Sequence, residues 1–413
     1  MFLIRFSSIF LGITLFIFPT IACENQGDAA SYDYLNTIIT NNHARSTRRT
    51  IASQSRKIVL DNVRIFDGHQ IQHPSTVIIS GGLIDENGDC ENATHIDGGG
   101  LILLPGLIDA HCHPTTIQHL EGMARNGVTT GLTMACFAAE MCASLANIPG
   151  LPNLKFASAP ASAPGSAHGN ITARVDHTLL LNDTSEIPAW MHRQLSSSPQ
   201  PDYVKLIAET PGFDQATLNA LVAEARKGGK ETVIHASALE AYAQSIRSRS
   251  QHIHHVPLNI PLPADSPLLM DMKRSGQIAT PTLTMMRAIA LSGRGTDNYT
   301  AALLTTRSLH KSGVPILAGT DANETPGVPA AVSFGSGMHD ELDNLIEAGF
   351  SNVEALQAAT VLPALYFGLK DRGTIRPGMR ADLVLVEGNP LVDIKAIRNI
   401  KKVWIGGVEF TNF

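Results

Sequence analysis

The sequence predicts an α/β protein in which a barrel of eight β/α units carries a small β-sandwich made by both chain ends. Strand-like and helical segments alternate from about residue 106 to residue 371, which favours parallel strands with helical crossovers. Eight such units in a stretch of this length match a TIM barrel, and a doubly wound open sheet is the alternative. Short β-like runs before and after this stretch predict the sandwich, with residues 56–105 and 372–413 as its two parts.

The individual elements follow from residue type and from turn residues. Apolar and β-branched runs bounded by Gly, Asp and Asn predict the sandwich strands Lys57–Phe66, Ser75–Ser80, Gly100–Leu104, Ala381–Glu387 and Ile400–Gly406. The predicted barrel strands are Leu107–His111, Val128–Met134, Leu154–Ser158, Tyr203–Ala208, Thr232–Ala236, His252–Val256, Ile278–Leu283 and Pro315–Thr320. Between them, amphipathic stretches predict helices, among them Gln215–Gly228, Leu239–Arg249 and Leu268–Ser275.

Composition narrows the class of protein. Of the 413 residues, 44% are hydrophobic and 16% are charged, which predicts a large folded core. The formal net charge is −6 and no long basic run is present, so we expect no nucleic-acid partner.

The first 23 residues read as a secretory signal peptide. Arg5 supplies the positive start, an apolar run follows, and Ala22 suits the position before a cut. We therefore expect a secreted protein with no membrane contact after signal removal, and a retained membrane anchor is the alternative. Residues 24–55 are polar and predict a loosely packed N-terminal extension.

Two further features bear on the secretory route. Five Asn-x-Ser/Thr triplets predict a glycoprotein: Asn92, Asn170, Asn182, Asn298 and Asn323. Cys136 and Cys142 would either form a disulfide in an oxidising compartment or remain buried thiols.

Metal-binding residue types collect at the predicted strand ends. His111 and His113 end the first barrel strand, and side chains two residues apart on a strand point the same way. The other candidates are His168 after strand three, Lys205 in strand four, His235 at the end of strand five, His255 at strand six and Asp321 after strand eight. Because barrel active sites lie at the carboxyl ends of the strands, these side chains predict a metal centre. Ordinary core histidines are the alternative.

Three motifs resemble the amidohydrolase superfamily of metal-dependent hydrolases, in its imidazolonepropionase-like and prolidase-like branch. They are Leu104-Pro-Gly-Leu-Ile-Asp-Ala-His-Cys-His113, Ala318-Gly-Thr-Asp321 and the tail Gly378-Met-Arg-Ala-Asp-Leu-Val-Leu-Val386. The resemblance implies that His111, His113 and Asp321 bind a first metal ion and that His235 and His255 bind a second. It also implies that Lys205, carboxylated on its amine, bridges the two ions; an ion-paired rim lysine is the alternative.

The ligand set leaves alternatives. His252 and His254 share one face of their strand and compete with His255, so a single-metal site at His111, His113, His235 and Asp321 remains open. We expect Asp109 to orient a ligand histidine or to cap the strand end. We expect His339 to line the pocket or to lie on the surface.

The implied chemistry is hydrolysis of a carbon–nitrogen bond in a small-molecule amide, N-acyl compound or cyclic amide. One or two divalent ions, most naturally Zn²⁺ for these ligands, would activate water, Asp321 would shuttle the proton, and His168 or the second ion would polarise the carbonyl. The rivals on the same fold are an ester or lactone hydrolase, a mononuclear deaminase and a non-catalytic binding protein. A homo-oligomer is an open expectation.

Overall fold

The computed structural model describes residues 36–46, 57–86, 92–293, 297–324, 328 and 330–411. The predicted signal peptide and much of the predicted extension lie outside these residues. Within them, no helix is long and apolar enough to cross a membrane.

The secondary structure alternates as predicted from β6 onward. The strands are β1 Ile58–Phe66, β2 Ile71–Ser80, β3 Leu83–Asp85, β4 Thr94–Asp97, β5 Ile102–Pro105, β6 Leu107–Cys112, β7 Val128–Thr133, β8 Asn153–Phe156, β9 Val204–Ile207, β10 Thr232–His235, β11 His252–His254, β12 Ile278–Thr280, β13 Leu383–Val386, β14 Ile400–Ile405 and β15 Val408–Glu409. The helices are α1 at 36–46, α2 Ile117–Arg125, α3 Ala139–Ser144, α4 Ala167–Asp176, α5 Ile187–Leu195, α6 Gln215–Lys227, α7 Leu239–Ser248, α8 Pro267–Arg274, α9 Leu283–Leu291, α10 Tyr299–Lys311, α11 Ser336–Glu347, α12 Asn352–Ala358 and α13 Val361–Tyr366.

The parallel strands close into a ring. Strands β6, β7 and β8 form one sheet, and β9 to β12 form another. Single bridges join the two sheets: Ala157 pairs with Tyr203 between β8 and β9. On the other side, the segment after α10 pairs through Ile316 with β12 and through Ala322 with β6. This segment takes the eighth strand position of the ring, and further backbone hydrogen bonds, such as those from Ala110 to Ala318 and from Asp321 to His111, join it to β6.

Both chain ends contribute to one β unit, as predicted, and its strands form a single sheet where the sequence predicts a sandwich. Its strand order is β15-β14-β13-β5-β1-β2-β3, with β4 also paired to β1. Most strand pairs of this sheet are antiparallel, and β1 runs parallel to both β4 and β5. One face buries a separate apolar cluster that includes Leu60, Leu103, Leu383 and Trp404. This cluster joins residues more than 300 positions apart in the chain, so the two ends fold as one unit.

Apolar side chains fill the interior of the ring. Ile108, Leu132, Val233 and Leu317 come from its strands and meet residues of the α13 region, among them Phe367. The ring is therefore a packed core, not a pore. Polar side chains project above this core at the carboxyl ends of the strands.

Part of the predicted extension is a helix and is docked, contrary to the expectation of a loose segment. In α1, Ile38 is buried and Asn42 is 2% exposed. The Asn42 amide donates to the Thr115 carbonyl and the Ser144 hydroxyl and accepts from the Ile117 amide. These bonds tie α1 to the segment that follows β6.

Candidate metal centre

Three predicted ligands converge at one point. His111 Nε2 lies 3.2 Å from His113 Nε2 and 3.4 Å from an Asp321 carboxylate oxygen, and that oxygen lies 3.0 Å from His113 Nε2. Tetrahedral zinc holds its nitrogen and oxygen ligands at about 2.0–2.1 Å, which separates neighbouring ligand atoms by roughly 3.3 Å. The three atoms thus have the spacing of three corners of such a site.

Local backbone features bring these side chains together. Strand β6 changes register against β7 between Asp109 and Cys112, and such an irregularity re-aims the following side chains. Gly319 allows the eighth segment to approach β6, since a Cβ there would lie 2.9 Å from the backbone nitrogen of His111. Asp321 itself has a φ of 55°, a left-handed conformation that is uncommon outside glycine.

The Asp109 carboxylate caps the end of β6 and the adjoining end of the eighth segment. One carboxylate oxygen accepts from the backbone amides of His111 and Thr320, and the other accepts from the Thr320 hydroxyl. Burial raises the pKa of Asp109 to about 7 against these hydrogen bonds. Of the two predicted roles, the structure favours the strand-end cap, because the carboxylate contacts backbone and not an imidazole ring.

His255 joins the same cluster by a backbone turn. Its φ is 69°, a left-handed backbone conformation. The His254 and His255 rings therefore lie on the same side of the chain, each 4.8 Å from the His111 ring. The His255 ring centroid is 4.8 Å from that of His111 and 4.3 Å from that of His235. Ligand atoms of His111, His255 and Asp321 all lie within 4.8 Å of one another. His255 Nδ1 is 2.8 Å from the Thr282 hydroxyl, which leaves Nε2 as the open ring nitrogen.

Lys205 is buried among these histidines, not placed at the rim. It is 3% exposed, and its backbone amide donates to the Ser158 hydroxyl. Burial lowers the pKa of Lys205 to about 8, although the Asp321 charge opposes the shift. Burial, followed by the charge of Lys205, holds the pKa of His111 well below its ordinary value. Burial lowers the pKa of His255 to about 3. The His111 and His255 rings are therefore neutral at physiological pH, as ligands must be.

Asp321 supplies the negative charge of the cluster. Burial alone would raise its pKa, but the hydrogen bond from His113 and the nearby His255 outweigh burial and lower it. An anionic carboxylate beside neutral imidazoles is a donor set suited to a divalent cation.

His168 lies at the edge of the cluster and is held by a residue that the sequence analysis missed. Its ring centroid is 4.2 Å from that of His235. His168 donates from Nδ1 and from its backbone amide to the two carboxylate oxygens of Glu209, at 2.8 and 2.9 Å. Glu209 follows β9 in Ala-Glu-Thr-Pro-Gly, and its place after a barrel strand is the signal that would have pointed to it.

The other histidines of β11 have different positions. His254 Nδ1 lies 2.7 Å from His111 Nδ1, so one of these two nitrogens carries the shared proton. His252 stacks on Phe367 deeper in the ring, with 4.1 Å between ring centroids. His254 Nε2 is buried and has no hydrogen-bond partner among the described residues, so His254 as well as His255 keeps an open ring nitrogen near His111.

Two further expectations are answered, and one more cysteine is placed. His339 is buried and bonds through Nε2 to the Asn126 carbonyl, so it lies neither on the surface nor at the cluster. Cys136 and Cys142 form a disulfide. Cys112 is a buried thiol.

This chain is similar in sequence to known amidohydrolase-family proteins. The profile of the amidohydrolase family matches residues 206–409. Adenine deaminase 2 of Desulfotalea psychrophila is 25% identical over 84% of this chain and 55% of its own length. Ochratoxinase of Aspergillus niger is 28% identical over 49% of this chain and 43% of its own length. The chain thus spans about half the length of these curated relatives.

Solved structures share the fold. A Xaa-Pro dipeptidase with bound methionine superposes with a TM-score of 0.71 over 86% of this chain and 100% of that one, at 21% identity. The A. niger ochratoxinase crystal structure gives a TM-score of 0.71 over 87% and 96%, at 19% identity.

The ring of parallel strands with a His-x-His and Asp cluster at its carboxyl ends defines the class of barrel proteins built around a metal centre. Within that class, residues 206–409 match the amidohydrolase family.

Proposed function

We propose that this protein is a secreted, metal-dependent hydrolase that cleaves a carbon–nitrogen bond of an amide, N-acyl compound or cyclic amide. Its scaffold would be the predicted (β/α)8 barrel with a β-sheet from both chain ends. The observation that carries the proposal is the convergence of His111, His113 and Asp321 at 3.0–3.4 Å.

Two groups of residues would hold metal. His111, His113 and Asp321 would hold one divalent ion, and Zn²⁺ is the ion that their spacing and chemistry suit. His235 and His255 would hold a second, with Lys205 between the two sites. Bound ions of this type lower the pKa of a bound water and polarise a carbonyl.

The carbamate on Lys205 would form from the neutral amine. Because burial lowers the pKa of Lys205 to about 8, a useful fraction of this amine is unprotonated near neutral pH. The ammonium would first lose one proton. Attack of the neutral amine on CO₂ would then form the N–C bond, release a second proton and leave an anionic carbamate. An unmodified ammonium would instead be a costly buried charge.

Asp321 is the proposed proton shuttle. One carboxylate oxygen contacts His113 and His111, and the other lies 3.8 Å from His255. Its lowered pKa leaves it ionised and able to accept a proton, which it would then pass to the leaving nitrogen.

His168 is the proposed electrophilic residue. The Glu209 carboxylate occupies its Nδ1, so Nε2 is the ring nitrogen available to a substrate. A third of the side chain is exposed, which allows contact with a bound molecule. A donor at this position would stabilise the oxyanion of the tetrahedral intermediate.

A deaminase is the second candidate. It draws on the similarity to adenine deaminase 2 over most of this chain. Both candidates break a carbon–nitrogen bond with activated water, but a deaminase releases ammonia.

Secretion is proposed on independent grounds. The disulfide between Cys136 and Cys142 is of a kind that persists in oxidising compartments. The signal-like start and the Asn-x-Ser/Thr triplets agree with that route. Assembly into a homo-oligomer is a further proposal that gel filtration with light scattering would test.

The decisive experiment combines metal counting with turnover. Chelator-treated protein is reloaded with Zn²⁺, the metal per chain is measured, and N-acyl compounds, cyclic amides, esters and adenine are assayed. We expect one or two ions per chain and amide cleavage that depends on them. Full activity in chelator with no stoichiometric metal would refute the proposal, and ammonia release from adenine would favour the deaminase.

A further inference from the structure

The side chain before helix α9 bonds to a candidate metal ligand instead of capping the helix. Thr282 precedes Leu283–Leu291, at a position where a threonine hydroxyl ordinarily accepts from a backbone amide of the first turn. Among the described residues it makes no such bond, and its φ is 51°, a left-handed conformation in place of the extended one of an ordinary cap. Its hydroxyl lies 2.8 Å from Nδ1 of His255.

A buried carboxylate from another helix caps α9 in its place. Glu341, in α11, is fully buried, and one of its oxygens accepts from the Leu283 amide at 2.9 Å. The other accepts from the Thr284 amide at 2.7 Å and from the Thr284 hydroxyl at 2.8 Å. An anion here satisfies amides that the start of a helix leaves unpaired, and it complements the positive end of the helix dipole. The Thr282 hydroxyl is thereby available to His255.

Helix α11 holds this first turn firmly. Burial raises the pKa of Glu341 to about 7 although the hydrogen bonds from Leu283 and Thr284 oppose the shift, so the carboxylate is mostly ionised at about pH 8. One turn further along α11, the Asn344 amide donates to the Thr284 hydroxyl at 3.2 Å. Two side chains of α11 therefore fix the backbone that immediately follows Thr282.

The bond to Thr282 bears directly on how His255 could bind metal. A neutral imidazole that ligates through Nε2 carries its proton on Nδ1, which then donates to the Thr282 hydroxyl. A hydrogen bond of this kind fixes both the tautomer and the orientation of a ligand ring. The backbone amide of His255 also donates to the Thr280 carbonyl at 2.9 Å. Ring and backbone of His255 are thus both tied to residues 280–282, directly before α9.

We propose that Glu341 and Thr282 form one positioning unit for the second metal site: Glu341 caps α9 so that the Thr282 hydroxyl can hold the His255 ring with Nε2 open. This inference rests on the proposed ligand role of His255 and deepens it. Both residues would act through His255 and not on a substrate. The first site would be independent of them, because β6 supplies His111 and His113.

The first test measures zinc affinity without turnover. Chelator-treated protein is titrated with Zn²⁺ at pH 8 in competition with a chromophoric chelator, which gives a Kd for each bound ion. Thr282→Val leaves the Nδ1 proton of His255 without an acceptor, so one Kd should rise by about ten- to one-hundredfold while the other stays nearly unchanged. Thr282→Ser keeps a hydroxyl and should preserve both values. Two unchanged Kd values in Thr282→Val overturn the inference, and a ligand set that uses His254 in place of His255 predicts that result.

The second test asks whether Glu341 acts through Thr282. Glu341→Gln sets an amide donor against a buried donor and should raise the same Kd by about tenfold. The double variant should bind that ion no more weakly than Thr282→Val alone, because both changes act on one hydrogen bond. Effects that multiply in the double variant would overturn the shared route. If Glu341→Gln does not fold, Thr284→Val removes one of the three donors to the carboxylate and should raise that Kd by about two- to fivefold.

The first turn of α12 provides a matched control. Ser351 and Glu354 form a capping box there, so Glu354→Gln makes the same chemical change at a helix cap outside the cluster. It should leave both Kd values unchanged, and a loss equal to that of Glu341→Gln would overturn a specific coupling.

The titrations separate this inference from the proposed function. Amide cleavage plays no part in them, so the hydrolase proposal can fail while the positioning unit stands. If the wild type binds one ion only, the second-ion part of the proposed function fails. A single Kd that rises about tenfold in Thr282→Val would then still support the coupling to His255, and an unchanged one would overturn it.

Discussion

Replacing Gly319 by Ala tests how closely the eighth barrel segment must approach the first strand. The added Cβ would lie 2.9 Å from both the backbone nitrogen and the Cβ of His111, and 2.6 Å from a methyl carbon of Thr280. Ordinary contact begins at 3.4 Å. The segment that carries Asp321 must therefore move away from His111 by about 0.5 Å.

That displacement is large for a metal centre. Ligand distances tolerate only about 0.2 Å of error, and the Asp321 and His111 ligand atoms are 3.4 Å apart before the change. We expect zinc affinity to fall by about ten- to one-hundredfold. Overpacking at this site should also lower the free energy of unfolding of the metal-free protein by about 1–3 kcal/mol.

The assay is competition with a chromophoric chelator for Zn²⁺, together with thermal unfolding of the metal-free protein. Gly337→Ala is the matched control, because its Cβ would meet the tip of the Val332 side chain, not backbone. It lies in helix α11, where Ala is favoured over Gly by up to about 1 kcal/mol. Zinc affinity within twofold of wild type for Gly319→Ala would refute the reasoning.

The other predictions address individual groups. Asp321→Asn should keep the fold yet lower kcat per bound metal ion by about 10²–10⁴-fold when assayed with saturating Zn²⁺, and near-normal kcat would remove Asp321 as the shuttle. Glu209→Gln removes the negative charge that holds His168, so kcat should fall by about tenfold at unchanged metal content. An unchanged kcat would argue that Glu209 does not position His168. The Lys205 pKa is lowered to about 8, so about half of the amine is neutral at pH 8 and only a few per cent at pH 6.5. Added bicarbonate should therefore increase the rate of metal loading more at pH 8 than at pH 6.5. A Lys205→Met variant should lose that bicarbonate effect. Replacing Cys136 and Cys142 together by Ser opens a loop with a sequence separation of 6 and should cost about 2 kcal/mol in urea unfolding, while an unchanged midpoint would contradict this.

The sequence located the main parts of the candidate site because they depend on local patterns. Alternating strands and helices predict parallel strands, and the carboxyl ends of parallel strands meet at one face. His111, His113 and Asp321 could therefore be placed together before any coordinate was known, and the structure brings their ligand atoms within 3.4 Å. Each predicted barrel strand overlaps a strand or bridged segment of the structure.

Other features depend on contacts that no local pattern encodes. Glu209 meets His168 across 41 residues and His254 meets His111 across 143, so only the closed ring defines these pairs. The left-handed backbone at His255 overrides the two-residue alternation of a strand, which is why its side chain joins His254 at the cluster. Helix α1 likewise gains its place from hydrogen bonds of Asn42 to a distant loop.

By itself, the sequence determined the α/β architecture and the residue types at the strand ends, since periodicity and turn residues act over a few positions. Only the tertiary structure decided which side chains share protons, which ring nitrogens stay open and whether Cys136 bonds to Cys142. The physical reason is that hydrogen bonds and burial are set by distances of a few ångströms between segments far apart in the chain.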